Sequence, residues 1–148
     1  MNIKKRVDNN IPFSLHDSRI IKISAEAERL TLTLDKVYEY NGDNEKSYPA
    51  TMLFEGIDYE ECDVIVFDSE LGYGSFTGTR YTMREFVDKF PNGIFEIITE
   101  TYSGYDTVFR GYIYKNGCVY GSGIISIWTM GDVILSTNYA SDKKDDRI

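Results

Sequence analysis

The chain has 148 residues with 16 basic and 24 acidic side chains, which give a formal net charge of −8 at pH 7. This length suits one domain that buries about two-thirds of its unfolded surface. The charge disfavours nucleic acid and anionic membranes as partners because both are polyanions, and it leaves a basic protein as a sensible partner. The simpler interpretation is that the charge keeps the protein soluble.

Targeting and redox signals favour an intracellular protein. The charged residues 2–6 are not followed by the apolar core of a signal peptide, and no run approaches the roughly 18 apolar residues of a membrane span. We therefore expect a cytoplasmic location. Cys62 and Cys118 both fall in apparent strands, and we expect two free, buried thiols, with a disulfide left open.

The first part of the chain has the alternation of β-strands. Residues 1–12 are polar and contain Pro12, which predicts a loose arm or a short lead-in. Apolar and polar residues alternate over residues 21–25, and alternating leucines over residues 30–34 share one face of a second strand. The two segments predict an antiparallel hairpin. The same alternation predicts that Tyr38 and Tyr40 continue the leucine face.

Two further strands are predicted at residues 50–56 and 62–68. The second contains an unbroken apolar run at residues 64–67, which predicts a central strand covered on both faces. Residues 41–46 are predicted to be a polar loop, and the glycine-rich residues 69–80 a longer one.

One short helix is predicted at residues 82–90. Thr82 and Glu85 have the spacing of a capping box, and Pro91 ends the helical pattern. The apolar residues at positions i, i+3, i+4 and i+7 predict a stripe that packs on the sheet: Met83, Phe86, Val87 and Phe90.

The remaining elements predict paired strands. Strands are expected at residues 94–103 and 107–115, followed by a type I′ turn at Asn116–Gly117. Gly131–Asp132 predicts a two-residue turn of type II′ between the last two strands. The charged residues 141–148 are predicted to be a disordered tail.

These elements predict a mainly β fold, at the margin of α+β, in a single domain over residues 1–140. The sheet is expected to be an antiparallel meander rich in hairpins, arranged as a sandwich or a half-barrel, with the one short helix near residues 82–90. An aromatic fraction of 14% agrees with a strand-rich fold. The oligomeric state stays open.

His16 is the only histidine of the chain. A catalytic role needs an orienting carboxylate and a nucleophile, but Asp17 is expected to point away, because neighbouring side chains of an extended chain lie on opposite faces. A metal site lacks companion ligands, since the two cysteines show no ligand spacing. We predict a structural role, with binding by His16 and Asp17 as the alternative, and no catalytic residue, metal or cofactor.

Two loops are candidates for contact with a partner. The glycine-rich loop lacks the lysine of a phosphate-binding P-loop, so we predict a flexible surface loop; the alternative is that Tyr73 and Phe76 dock on a partner. Clustered carboxylates in a loop are usually only solvated, but they are the first place where we expect a basic partner to bind. The acidic stretch between the third and fourth strands contains Glu55, Asp58, Glu60, Glu61 and Asp63.

One family resemblance adds to this interpretation. The opening Phe13–Ser14–Leu15–His16–Asp17–Ser18–Arg19–Ile20, the strand pair behind it and Leu53–Phe54–Glu55–Gly56–Ile57 resemble a pattern in small bacterial proteins. Over residues 13–68 the chain is similar to immunity proteins of polymorphic toxin systems, in particular the Immunity protein 50 type. The resemblance implies a non-enzymatic protein that neutralises a toxin by binding it.

Two functions follow from the sequence. The first is a protein-binding module of the toxin-immunity kind, and the alternative is a small hydrolase or ligand-binding protein with a pocket near His16. A binder should expose aromatic and acidic side chains on one surface, whereas an enzyme should gather His16 and two or more carboxylates in one pocket.

Overall fold

The computed structural model describes residues 2–5, 13–67 and 77–137 of the chain. These residues form ten strands, one short 3₁₀ helix at Tyr59–Glu61 and one α-helix, α1, at Met83–Lys89. The strands are β1 (Asn2–Lys5), β2 (Arg19–Ala25), β3 (Arg29–Asn41), β4 (Asn44–Glu55), β5 (Asp63–Phe67), β6 (Gly78–Tyr81), β7 (Ile94–Ser103), β8 (Asp106–Lys115), β9 (Cys118–Trp128) and β10 (Val133–Thr137). The predicted tail at residues 141–148 lies outside the described residues.

The strands belong to one sheet with the order β1–β10–β4–β3–β2–β7–β8–β9–β5–β6. Every pair of neighbours is antiparallel. β1 and β6 form the two edges, so the sheet is open and is not a closed barrel. The predicted mainly β, antiparallel fold with one short helix is confirmed.

The buried apolar side chains form a single cluster. Leu32 of β3 and Met52 of β4 are fully buried on one half of the sheet, as are Ile97 of β7 and Phe109 of β8 on the other half. A helix of seven residues is too small to cover both halves. The sheet therefore curves, and the inner faces of its two halves enclose a common core.

The helix prediction is confirmed in detail. Thr82 and Glu85 form the capping box: the Thr82 hydroxyl accepts the Glu85 N–H at 3.2 Å, and the Glu85 carboxylate accepts the Thr82 N–H at 3.0 Å. Phe86 and Phe90 are buried, and Val87 is half-buried. Because a helix this short is unstable alone, this packing holds it.

The β3–β4 hairpin differs from its prediction in two ways. Its strands pair from Arg29↔Glu55 out to Asn41↔Asn44, so the loop predicted at residues 41–46 is only a tight turn. A β-bulge after Leu34 also shifts the register, which places Val37 in the core and leaves Tyr40 61% exposed. The prediction that Tyr38 and Tyr40 share the leucine face is wrong, because one extra residue inverts the alternation.

β5 and β6 correct two further predictions. Val64 and Val66 are buried, but Ile65 is only half-buried, so β5 is not covered on both faces as predicted. Gly78–Tyr81 pairs with β5 as the edge strand β6, so the loop prediction is wrong for this part of residues 69–80. Pairing with β5 outweighs the weak strand propensity of a segment that begins with glycine.

The two glycine turns have different outcomes. Asn116 and Gly117 have φ of 54° and 79°, as the predicted type I′ turn requires. The hairpin predicted at Gly131–Asp132 is wrong, because β9 pairs with β8 and β5 whereas β10 pairs with β4 and β1. Gly131 instead lies against Glu55, whose carbonyl oxygen would be 2.7 Å from an added Cβ.

Candidate functional site: an acidic surface

Four segments meet where β4 ends and β9 leads into β10. Backbone hydrogen bonds join them: the Gly56 N–H donates to the Glu28 carbonyl at 3.0 Å, the Asp58 N–H to Trp128 at 3.2 Å and the Thr129 N–H to Tyr105 at 3.1 Å. We call residues 26–29, 55–63, 104–106 and 128–132 the acidic surface. These direct backbone bonds bring the four segments into one region of the molecule.

The acidic surface concentrates the charge of the chain. It has nine acidic side chains and one basic side chain, Arg29, so its net charge of −8 equals that of the whole protein. The rest of the sequence holds as many basic as acidic side chains. The acidic members are Glu26, Glu28, Glu55, Asp58, Glu60, Glu61, Asp63, Asp106 and Asp132.

Large apolar side chains lie among these carboxylates. Tyr105 is 45% exposed and Met130 is 65% exposed. The Tyr105 ring packs at 5.3 Å on the half-buried Trp128 ring, which holds it in place without covering it. An exposed aromatic ring that packs on a second ring, and an exposed methionine, are both typical of protein-binding surfaces.

Most of the carboxylates keep their charge available to solvent. Glu26 lies 3.9 Å from Arg29, and Asp63 is paired with Arg80. Within the described part of the chain, Glu28, Glu55, Glu60 and Glu61 have no side-chain partner and are exposed. Nor do three His, Cys, Asp or Glu side chains of that part converge in a way that could hold a metal ion. Carboxylates spread over a surface suit a macromolecular partner better than a single cation.

The buried Cys62 side chain links two segments of the acidic surface by hydrogen bonds. Its buried Sγ accepts the Trp128 N–H at 3.3 Å, and its thiol donates to the Asp58 carbonyl at 3.2 Å. Burial raises the pKa of the Cys62 thiol, so the group stays protonated and unreactive. Cys118 is exposed at the start of β9, which corrects the prediction of two buried thiols; both are free.

His16 and Asp17 lie in a separate feature, the turn of residues 14–18, which we call the His16 turn. The Ser18 N–H donates to the Leu15 carbonyl at 2.9 Å, and Asp17 has a positive φ of 69°. This turn brings Asp17 Oδ2 to 3.2 Å from His16 Nδ1. The prediction that Asp17 points away from His16 is wrong, because the chain here is a turn rather than an extended strand.

Internal bonds hold the His16 turn. The Leu15 N–H donates to Glu100 Oε2 at 2.6 Å, and the Tyr102 hydroxyl donates to Glu100 Oε1 at 3.0 Å. The Asp17 N–H donates to Ile97 O at 2.8 Å. Burial raises the pKa of the Glu100 carboxyl, although these donors act against that rise. The turn is fastened to β7, and its imidazole has Asp17 as its contact.

The structure thus separates the predicted site residues into two groups and leaves a third undescribed. Glu55, Asp58, Glu60 and Glu61 lie together on the acidic surface, whereas His16 and Asp17 do not belong to it. The prediction for Tyr73 and Phe76 falls outside the described residues. Sequence reasoning missed Tyr105, Trp128 and Met130 and the acidic residues of the other three segments. Acidic residues beside turns were a weak signal for them, and only the fold assembles them.

Comparison of the chain with models of protein families, with characterised proteins and with solved structures finds no match. Within residues 13–67 and 77–137, no helix has the length and apolar content needed to cross a membrane. A function can therefore be inferred only from the sequence and the structure.

Proposed function

We propose that the protein is a non-enzymatic binding protein of the toxin-immunity kind, which binds a basic protein partner through the acidic surface. The observation that supports this most is that the four joined segments of the acidic surface carry a net charge of −8 and also expose Tyr105 and Met130. The proposal places both proteins in the cytoplasm, where the partner would be neutralised by occlusion.

The charge and the apolar side chains have different tasks in this proposal. Carboxylates attract a cationic protein over a distance and raise its association rate. Aromatic and methionine side chains supply affinity once the surfaces meet, because desolvated rings dominate binding energy at interfaces. Tyr105 is suited to this because its contact with Trp128 reduces the entropy that binding would cost.

Complex formation with a specific partner tests the proposal. The partner to use is the basic, toxin-like product of the gene next to the one that encodes this chain, co-expressed and co-purified with it. We expect a one-to-one complex with the wild type, and loss of that complex when Glu60 and Glu61 are both changed to Lys.

A matched control separates the acidic surface from total charge. Asp43 and Glu45 are exposed at the other end of the β3–β4 hairpin, and changing both to Lys alters the net charge by the same amount. This control variant should keep the complex. Equal loss in both variants, or no complex with the wild type, would contradict the proposal.

A further inference from the structure

A small cavity separates α1 from β2. Its volume is about 170 Å³. It forms because β2 and β7 pair only at Arg19↔Glu96 and Ile20↔Phe95, after which the register of β2 shifts. Beyond Ile20, no described strand pairs with this side of β2, and α1 covers the opening only in part.

The wall of the cavity is apolar and fixed. It includes the side chains of Ile20, Ile23, Phe86, Val87, Phe90 and Phe95. The Phe90 ring packs against the ring of Tyr120 at 5.1 Å and the ring of Phe86 at 5.2 Å, measured between ring centroids. Gly93 packs so tightly that an added Cβ would lie 2.8 Å from Phe90 Cβ. These contacts restrict movement of the Phe90 ring into the space.

Among the described residues that line the cavity, Lys22 is the charged one. Lys22 is exposed, so its ammonium group can remain hydrated while the aliphatic part of the side chain lies against the wall. A ligand with an apolar body and a single negative charge would therefore match both the wall and the opening.

We propose that this cavity binds a small apolar monocarboxylate, with its ring or branched chain inside and its carboxylate near Lys22. The volume sets the size, since an apolar cavity of roughly 150 Å³ takes up benzene. The ligand should therefore have about six to ten non-hydrogen atoms. The inference is independent of the acidic surface and of any protein partner.

Titration with two ligands of similar shape and opposite charge tests the proposal. Phenylacetate and 2-phenylethylamine are added separately to the full-length protein, and methyl and amide NMR shifts are recorded. We expect saturable shifts with phenylacetate in the millimolar range or below, confined to residues around the cavity, and weaker binding of the amine. Lys22→Gln should reduce phenylacetate affinity about two- to fivefold, as loss of one exposed charge contact would, whereas Lys46→Gln should not.

A substitution that fills the cavity tests the location of the site most directly. Val87→Phe places a ring in the space and should abolish the phenylacetate shifts, whereas Val119→Phe makes the same change at an exposed site and should not. If Val87→Phe does not fold, intermolecular NOEs between phenylacetate and the Ile23 or Val87 methyl groups decide the matter. Shifts that never saturate, equal affinity for the amine, or NOEs only to residues elsewhere would overturn the proposal.

Discussion

The acidic surface and the His16 turn are both polar and partly exposed, but they differ in where their polar groups find partners. In the His16 turn, the backbone of Leu15, Asp17 and Ser18 bonds to Glu100, Ile97 and the turn itself. On the acidic surface, the backbones are bonded to one another but most carboxylates face solvent. The first arrangement fixes the shape of a turn, and the second leaves charge exposed to solvent.

This difference illustrates why residue type alone is a poor guide to a candidate site. A lone histidine beside an aspartate suggests chemistry, yet its surroundings serve the fold. Acidic loop residues suggest only solubility, yet the fold gathers nine of them around exposed apolar side chains. Changes in the His16 turn should therefore affect stability, and changes on the acidic surface should affect binding.

The largest expected effect on stability is at Leu15. This side chain is fully buried, so Leu15→Ala should lower the free energy of unfolding by about 2–5 kcal/mol, through lost burial and the space left behind. Met130→Ala on the acidic surface should change it by less than about 0.5 kcal/mol. Urea denaturation of both variants measures the free energy of unfolding. A large loss of stability in Met130→Ala would contradict the distinction between the His16 turn and the acidic surface.

The largest expected effect on binding is at Tyr105. Tyr105→Ala should weaken the complex with the basic partner about tenfold or more, because it removes the ring supported by Trp128. Tyr112→Ala removes a similarly exposed tyrosine from β8 and should leave the affinity within about twofold. Calorimetric titration measures the affinity of both variants for the partner. An equal loss of affinity in both would contradict a specific role of Tyr105 in binding.

Substitution of Ser18 should change the free energy of unfolding less than Leu15→Ala does, and in the opposite direction. Its hydroxyl is fully buried and has no hydrogen-bond partner among the described residues. Ser18→Ala should therefore raise the free energy of unfolding by about 1 kcal/mol, because an unsatisfied buried group is removed. Thermal and urea unfolding measure the change. A loss of stability would show that the hydroxyl is satisfied, for instance by a buried water.

Glu100 makes the stability of the His16 turn depend on pH. Its pKa is raised by burial, so its stabilising contribution is complete below the usual glutamate pKa of about 4.3 and is lost as pH rises through the raised value. In the Glu100→Gln variant the side-chain amide does not ionise, so the variant lacks this pH dependence. Relative to this variant, the wild type should therefore lose stability as pH rises from about 4.3, the usual glutamate pKa, through the raised pKa of Glu100.

Urea denaturation across this pH range, with Glu28→Gln on the acidic surface as the matched control, measures the effect. A difference between wild type and Glu100→Gln that stays constant, or that grows in favour of the wild type as pH rises, would contradict the assignment.

Sequence patterns predicted individual helices, strands and turns better than they predicted the pairing and register between strands. The capping box at Thr82 and the turn at Asn116–Gly117 are local, and short-range sterics and hydrogen bonds decide them. The bulge after Leu34 and the close approach of Gly131 to Glu55 depend on the partner strand or segment, which the sequence does not name.

The candidate site depends even more strongly on the fold. Glu60 and Glu61 could be picked out because they are adjacent in sequence. Tyr105 and Met130 join them only through bonds between segments far apart in the chain, such as Thr129 to Tyr105 and Met130 to Gly56. The apolar periodicity of the sequence does not show which distant segments contact each other.

We expect the acidic surface to attract and bind a basic protein. The most direct test is the association rate constant with the basic partner, measured by stopped flow over a range of ionic strength. The rate of the wild type should fall steeply with salt, because screening removes the attraction. The variant carrying Glu60→Lys and Glu61→Lys should associate more slowly with a flatter salt dependence, and the Asp43→Lys, Glu45→Lys control should stay close to wild type. Equal rates and equal salt dependence in all three proteins would contradict the claim.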